Sequence, residues 1–371
     1  MDAIRIDSLR LYHFRNYEDQ TALFGPGVNV ISGDNAQGKT NLLEAVFFLG
    51  AGKSCRGARE RELIRIGQDG ARLEAGILSQ GRAQTLEARL YSHTRRTLFV
   101  NGVKLNSPRE LLGRLPCVFF GPEDLGVVRA GAAMRRRFMD LALCQLRPRY
   151  MTLLAEYNRL YAHKTRLLRD ARPDSPMAGV LPEFNRRIAE TGAALVGYRA
   201  GFARRVAVSA AGFHSDASGG QENLSLSYRT RPEYDPARRV EEAARALYAH
   251  LCEKESAEWA AGRCLAGPHR DDLDIRLDGL DAKVYGSQGQ TRTAALALKL
   301  AERQVFREEL GAYPVLLLDD VLSELDPHRQ EFILTRVGDG QVLITCCDAK
   351  GMETPGIGKN IHVRNGELSN K

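Results

Sequence analysis

The chain has 371 residues, 43% hydrophobic and 27% charged, which is enough for a large buried core and for two domains. Seven cysteines without a C-x-x-C pair argue against a zinc or disulfide frame, and no apolar run approaches the roughly 20 residues of a membrane span. The net charge of +7 and a pI of about 9.1 are compatible with a polyanionic partner without establishing one.

The N-terminal stretch MDAIRIDSLRLYHF has no cationic segment followed by an apolar one, so no secretory signal is expected and the chain is read as cytoplasmic. Up to about residue 125 the texture is mixed α/β. The alternating runs IRIDSLRLYHF, QTLEARLYS and RTLFVNGVKL predict strands, with VNG as a turn. GVNVI, a β-type run, leads into GDNAQGKT and then into the helix-like NLLEAVFFLG. The loop fits the phosphate-binding pattern G-x-x-x-x-G-K-[ST]. Gly33 and Gly38 bound it, with Asp34, Asn35, Ala36 and Gln37 between them. Glycine lets successive N–H groups turn inward, and the helix that follows adds the positive end of its dipole. Lys39 is expected to reach the β- and γ-phosphates of a nucleotide, and Thr40 to ligate Mg²⁺. The alternative is a chance match in a chain with 35 glycines. PCVFFGPEDL then predicts an apolar strand ending in a Gly-Pro turn with acids.

From about residue 130 leucines and tyrosines recur at helical spacing. RPDSP at 172–176 breaks the first long helix, and EFNRRIAETGAALVGYRAGFARRVAVSAAGF and VEEAARALYAHLCEKESAEWAAG predict two more. DASGGQEN reads as a loop. Residues 129–170 hold ten basic and three acidic residues, an excess equal to that of the whole chain. That is either a polyanion-binding surface or a solvated helix face. The α/β texture returns with DLDIRLDG and PVLLLDDV, so the helical block reads as an insertion.

PVLLLDDVLSELD supplies acids to match the loop. Four apolar residues, Val315 to Leu318, suit a central strand buried on both faces, and Asp319 emerges at its C-terminal end, where α/β sheets bind ligands. Asp319 could hold Mg²⁺ through water, opposite Thr40, and Asp320 could orient or deprotonate an attacking water. The alternative is a helix N-cap with a first-turn acid. In YGSQGQTRTAALALKLAERQVF, Gly286, Ser287, Gln288, Gly289 and Gln290 form a turn that opens an amphipathic helix. It is either an anion site or a plain capped helix.

Together these segments resemble the heads of ATP-binding-cassette proteins. More closely, LRLYHFRNYED, GDNAQGKTNLLEA, FFGPEDLGVVRAG with RRRFMD, GPHRDDL, GSQGQTRTAALALKLAE and LLLDDVLSELD resemble the RecF family, in the family's order and over nearly the whole chain. Cys55 stands where that family more often has His. The resemblance implies an α/β, SMC-like P-loop ATPase head, in parts 1–129 and 264–371, interrupted by a helical arm domain over 130–263. It implies ATP and Mg²⁺ as ligands, with Gly33 through Gly38, Lys39, Thr40 and Asn41 on the phosphates. Ser287, Gln288, Gly289 and Gln290 would be the signature motif, which touches the γ-phosphate held by a second subunit.

The resemblance also implies an ATP-dependent homodimer on DNA at single-strand/double-strand junctions, a weak DNA-stimulated ATPase, and action with RecO and RecR to assist RecA loading in gap repair. Residues 323–326 would be the D-loop, 342–348 the switch strand with Cys346 in a position often held by His, and Glu123 and Asp124 the Q-loop equivalent or a turn cap. Arg15 and Asn16 would approach the phosphates or sit at a strand end. His269, Arg270 and Asp271 mark the return to the ATPase lobe, with His269 as a contact or a packing residue. The rivals are a transporter ATPase subunit, an SMC-type tether, for which 130–263 is too short, and a P-loop kinase, in which the 287–290 turn would have no role.

Overall fold

The computed structural model describes residues 4–233, 235, 239–324, 327–336, 338–347 and 357–370. The chain divides into two compact units, one of Met1–Gly126 with Lys299–Lys371 and one of Val127–Leu298.

The first unit opens with β1 (Arg5–Phe14), β2 (Tyr17–Leu23), β3 (Val28–Ser32) and helix α1 (Lys39–Ala51). β4 (Gly70–Ser79), β5 (Arg82–Tyr91), β6 (Thr97–Val100), β7 (Val103–Lys104) and β8 (Cys117–Phe120) follow. Two sheets result. β1, β2 and β4 to β7 form an antiparallel sheet in the order β2-β1-β4-β5-β6-β7. Along β4 buried residues alternate with more exposed ones, and two of the sheet's tight hairpins turn at Gln80-Gly81 and Asn101-Gly102, all four residues at positive φ, as a type I′ turn requires.

β3 and β8 instead join strands from the far end of the sequence. After the second unit come β12 (Val315–Leu318), α9 (Pro327–Arg336), β13 (Val342–Cys346), β14 (Ile357–Arg364) and β15 (Glu367–Asn370), labels β9 to β11 and α2 to α8 belonging to elements given below. The sheet order is β15-β14-β3-β13-β12-β8, parallel from β14 to β8 with β15 antiparallel at one edge. Every residue of β3, β8, β12 and β13 is buried, as expected of strands inside a parallel sheet; β8 and β12 are wholly apolar, while β3 and β13 also bury Asn29, Ser32 and Thr345. The C-terminal ends of β3, β13 and β12 therefore lie side by side.

The second unit holds α2 (Ala132–Leu146), α3 (Pro148–Asp170), α4 (Leu181–Ala217), β9 (Leu224–Arg229), α5 (Val240–Glu253), α6 (Glu255–Ala261), β10 (Asp272–Leu277), β11 (Leu280–Asp281), α7 (Ala282–Tyr285) and the start of α8 (Gln288–Leu310). The division between units falls within α8. At 1.5 Å per residue the 37 residues of α4 run about 55 Å. β9, β10 and β11 form an antiparallel sheet, with Asp272 to Leu277 paired to Arg229 to Leu224.

That pairing corrects two expectations. The inserted block is not purely helical, and it does not end at 263: β10 carries the α/β texture expected of the ATPase lobe, yet it is hydrogen-bonded to β9, so residues 264–298 belong with the second unit. The basic excess of 129–170 is also largely engaged within the unit. Arg135 forms a bidentate pair with Asp272 (2.6 and 2.8 Å), Arg136 donates to the Asp271 carbonyl, Lys164 is fully buried against Glu258 at 2.6 Å, and Arg129 donates to the Gly286 carbonyl. No helix among the described residues is long and apolar enough to cross a membrane.

Within the segment 267–273 of the second unit, Gly267, Pro268, Asp271 and Leu273 are buried, His269 is half-buried and Arg270 is exposed. The His269 ring lies 4.5 Å from that of Tyr161, and its Nδ1 is 2.7 Å from the Tyr157 hydroxyl, so His269 is a packing residue. Burial pushes its imidazole down to about 4. Asp271 accepts from the Tyr228 hydroxyl (2.7 Å) and the Arg231 N–H (2.9 Å), and burial pushes its carboxyl up to about 6. These shifts oppose each other. As pH falls from 6.5 to about 4, the unfolded chain takes up a proton at residue 269 that the folded chain refuses, which lowers stability. As pH falls from about 6 to 3.8, the folded chain holds a proton at residue 271 that the unfolded chain releases, which raises stability. Urea midpoints measured across that range are expected to fall with acid more steeply for Asp271→Asn than for the wild type, and to rise with acid for His269→Gln relative to it.

Candidate phosphate-binding site

The site is built at the ends of three neighbouring strands of the first unit. β3 ends at Ser32, and the loop from Gly33 to Gly38 turns the chain into α1. Gly33 and Gly38 have φ of +147° and +120°. A Cβ at Gly33 would stand 2.2 Å from the Val363 carbonyl oxygen, and one at Gly38 would stand 2.6 Å from the Asn16 amide. Neither position admits a side chain, so the loop backbone can approach a ligand closely.

The loop is braced from two sides. Asn16, in the β1–β2 turn, donates to the Gln37 carbonyl at 2.8 Å and accepts from Asn41 at 2.8 Å. The buried Tyr17 hydroxyl donates to the Gly38 carbonyl at 2.9 Å. From the opposite side comes the β14–β15 hairpin, whose Gly366 N–H donates to the Gln37 carbonyl at 3.1 Å and whose Asn365 N–H donates to the Gln37 side chain. Asn16 thus lies at the loop, as one reading of FRNY expects. Arg15 does not: its guanidinium forms a bidentate pair with Glu44 at 2.9 and 3.0 Å.

Glu44 is on α1 and fully buried, and it also receives Arg56 at 2.6 Å and the Ser54 hydroxyl. Burial pushes its carboxyl up, and the hydrogen bonds from Arg15, Arg56 and Ser54 more than offset this, leaving it below the ordinary range. Arg56 reaches Asn41 as well, at 2.6 Å. Two cations on one buried carboxylate leave a positive excess beside the second turn of α1.

Lys39 carries the strongest signal. It is only 7% exposed, and its ammonium donates to the carbonyls of Gly33 and of Asp34 (3.0 Å), with a longer contact of 3.8 Å to the Cys347 sulfur. No carboxylate among the described residues pairs with it. No side chain among them caps α1, and its first turn holds no acid, so the helix presents unsatisfied N–H groups and its positive end to the same place. A buried cation without a counterion, beside an uncapped helix start, fits a phosphate-bearing ligand.

β12 delivers the acids. Asp319 is 6% exposed and accepts from the Thr40 hydroxyl at 2.9 Å and the Thr345 hydroxyl at 3.0 Å. Burial raises its carboxyl above the ordinary value, against both of those hydrogen bonds. A carboxylate pushed toward neutrality beside a hydroxyl is a donor set that a hydrated Mg²⁺ would suit, since the cation would favour the ionised form. Asp320 sits at φ +52°, an unusual angle for a non-glycine residue, and its N–H donates to Thr345 at 2.8 Å. Thr345 on β13 therefore links the two acids; no pattern in VLITCCD singles it out. Of the other expected contacts, Asp124 accepts from the Gly121 N–H at 3.0 Å and so caps its turn, and Cys346 ends β13 buried. Ser323 donates to the Asp320 carbonyl, while Leu325, Asp326 and Asp348 lie outside the described residues.

The 287–290 turn belongs to the second unit and opens α8 as a reciprocal cap. The Ser287 N–H donates to the Gln290 side-chain oxygen at 2.8 Å, and the Gln290 N–H donates to the Ser287 hydroxyl at 3.2 Å. Ser287 and Gln288 are exposed, and Gly289 is half-buried.

Known proteins agree with this architecture. The family model described as the RecF/RecN/SMC N terminal domain matches residues 5–367. A DNA replication and repair protein RecF from Symbiobacterium thermophilum is 41% identical over 349 residues, covering 94% of this chain and 92% of that protein. Another, from Synechococcus sp. (strain JA-3-3Ab), is 40% identical over 343 residues, covering 91% of this chain and 90% of that one. A solved structure of the recombination mediator protein RecF-ATP in the RecFOR pathway superposes with a TM-score of 0.93 at 31% identity, covering 100% of this chain and 98% of its own. A Smc head domain from Pyrococcus furiosus, at 16% identity and a TM-score of 0.58, covers 99% of this chain and 96% of its own and shares the fold. With sequence and fold matched along almost its full length, this chain belongs to the RecF family.

Proposed function

We propose that this chain is an ATP-dependent DNA-binding protein of recombinational gap repair and replication restart, in which two copies close face to face on a pair of ATP molecules. The observation that carries the reading is the Lys39 ammonium, buried with no carboxylate paired to it among the described residues, at the same strand ends as the Thr40–Asp319 pair. Gly33 through Gly38, Lys39 and Asn41 would hold the phosphates, and Thr40 and Asp319 would hold Mg²⁺ through its water shell. Bound Mg²⁺ would neutralise charge on the β- and γ-phosphates. Asp320 would orient the attacking water, its strained backbone fixed by Thr345.

Ser287 of a second copy would complete each pocket, with Gln288, Gly289 and Gln290 shaping its turn. ATP then stabilises one of two states, and hydrolysis releases the grip, so the ATPase works as a slow switch stimulated by DNA. The relative described as a recombination mediator in the RecFOR pathway supports RecO and RecR as partners. RecA would be the indirect beneficiary, double-stranded DNA beside a gap the substrate, and the cytoplasm the setting. DNA contact would be to backbone phosphates, with little sequence reading.

Sedimentation tests the closure directly. Asp320→Asn, expected to slow hydrolysis, is expected to be a monomer without nucleotide and a dimer with saturating ATP and Mg²⁺; a single unassociated species under both conditions contradicts the reading. Ser287→Arg is expected to abolish that dimer while the monomer still binds ATP, whereas an unchanged dimer fits a kinase-like P-loop protein instead. Binding to a gapped duplex in the presence of ATP is expected to weaken steeply with salt, by roughly a thousandfold between 50 and 200 mM for about six phosphate contacts. A flat salt response contradicts backbone binding.

A further inference from the structure

The 287–290 turn is tied to a side chain far from it in sequence. The Gln290 amide nitrogen donates to one oxygen of Glu222 at 3.0 Å, and the other oxygen of Glu222 lies 3.0 Å from Nε2 of His214, which is fully buried in the last turn of α4. The direction of each bond follows from chemistry. The Ser287 N–H can only donate, so it requires the Gln290 carbonyl oxygen to face it. An ionised carboxylate can only accept, so Glu222 requires the Gln290 NH₂ to face it. The two demands agree, and together they select one of the two orientations of the Gln290 amide. With that amide fixed, the Gln290 N–H points to the Ser287 hydroxyl oxygen, and the hydroxyl hydrogen is left to donate outward.

We infer that Glu222, held by His214, is a positioning residue for the 287–290 turn: it sets the Gln290 amide and through it aims Ser287 at the phosphate of a second copy. This rests on the trans role of Ser287 proposed above. Glu222 touches neither nucleotide nor reacting atoms. Its effect is to pre-order a turn that would otherwise have to be ordered when the second copy docks, so its loss is felt in association and not in nucleotide capture by the neighbouring pocket.

An exchange of the two polar groups tests this. Gln290→Glu alone sets two carboxylates against each other at 3.0 Å and is expected to weaken ATP-dependent dimerisation tenfold or more, with ATP binding by the monomer and the melting temperature little changed. Adding Glu222→Gln restores the pair in reverse, since the new amide donates to the new carboxylate and that carboxylate still accepts from the Ser287 N–H. Dimerisation of the double variant, read by sedimentation with ATP, is expected to return to within about threefold of wild type. A double variant as weak as Gln290→Glu overturns the proposal, and so does a Gln290→Glu protein that dimerises normally.

Mixing separates this from a defect in the variant's own pocket. Glu222→Ala and Lys39→Ala proteins are each expected to lack ATPase activity above the basal level, but a mixed dimer has one pocket in which both the loop and the opposing turn are intact. Activity of the mixture well above the sum of the two supports action across the dimer, and no gain on mixing overturns it. A wild-type protein that fails to dimerise with ATP sinks the underlying reading, whereas normal wild-type dimers with indifferent variants sink this inference alone.

Discussion

A lysine ammonium withdrawn from water, with no carboxylate paired to it among the described residues, is the constraint on which the first unit depends. Burying such a charge is costly, and the carbonyls of Gly33 and Asp34 only partly compensate. The surrounding structure tolerates it because the loop is held in a single shape by Asn16 and Tyr17 on one side and by the β14–β15 hairpin on the other. Glycine at 33 and 38 allows the backbone to come within reach, and α1 begins without a cap. The buried ammonium, the glycine loop and the uncapped helix start together concentrate positive charge at one place, and the braces around the loop hold it there.

The opposing charge is arranged with equal economy. Asp319 is buried and held by two threonine hydroxyls, one from α1 and one from β13, so its position depends on strands that meet only in the folded sheet. The second unit uses charge differently. Arg199 pairs with Asp140 and donates to the Pro268 carbonyl, and Lys164 pairs with Glu258, all within its core. A basic sequence is therefore not the same as a basic surface: in this unit much of the cationic excess specifies how helices pack and where β10 is anchored.

The contrast explains how much could be read in advance. The phosphate loop is legible because its chemistry is carried by eight consecutive residues, and the approach of Asp319 to Thr40 follows from parallel-sheet logic once an apolar strand ends in acids. Asn16 and Gly366 are not legible as braces of Gln37, nor Tyr17 as a brace of Gly38, because a hydrogen bond to a backbone carbonyl leaves no mark on the accepting side chain. β9 was hidden by its length: LSLSYR alternates for only six residues after a glycine-rich turn. β10 reads plainly as a strand, but alternation does not say which sheet a strand will join, and so the return to the first unit was placed about 35 residues too early. Of the two readings of Arg15, the strand-end one fits its place in the β1–β2 turn, and its pairing with Glu44 is not legible because that acid lies on the buried side of α1.

The order in which these parts are made has a consequence of its own. The Asn365 and Gly366 N–H groups that clamp Gln37 are synthesised long after the phosphate loop, Asn365 following Gln37 by 328 positions. At about 5–20 residues per second, tens of seconds separate the two events. Through that interval the nascent chain has a loop without its clamp and β3 without either parallel neighbour, β13 or β14. A nascent chain that stalls before the β14–β15 hairpin therefore cannot form the loop's clasp.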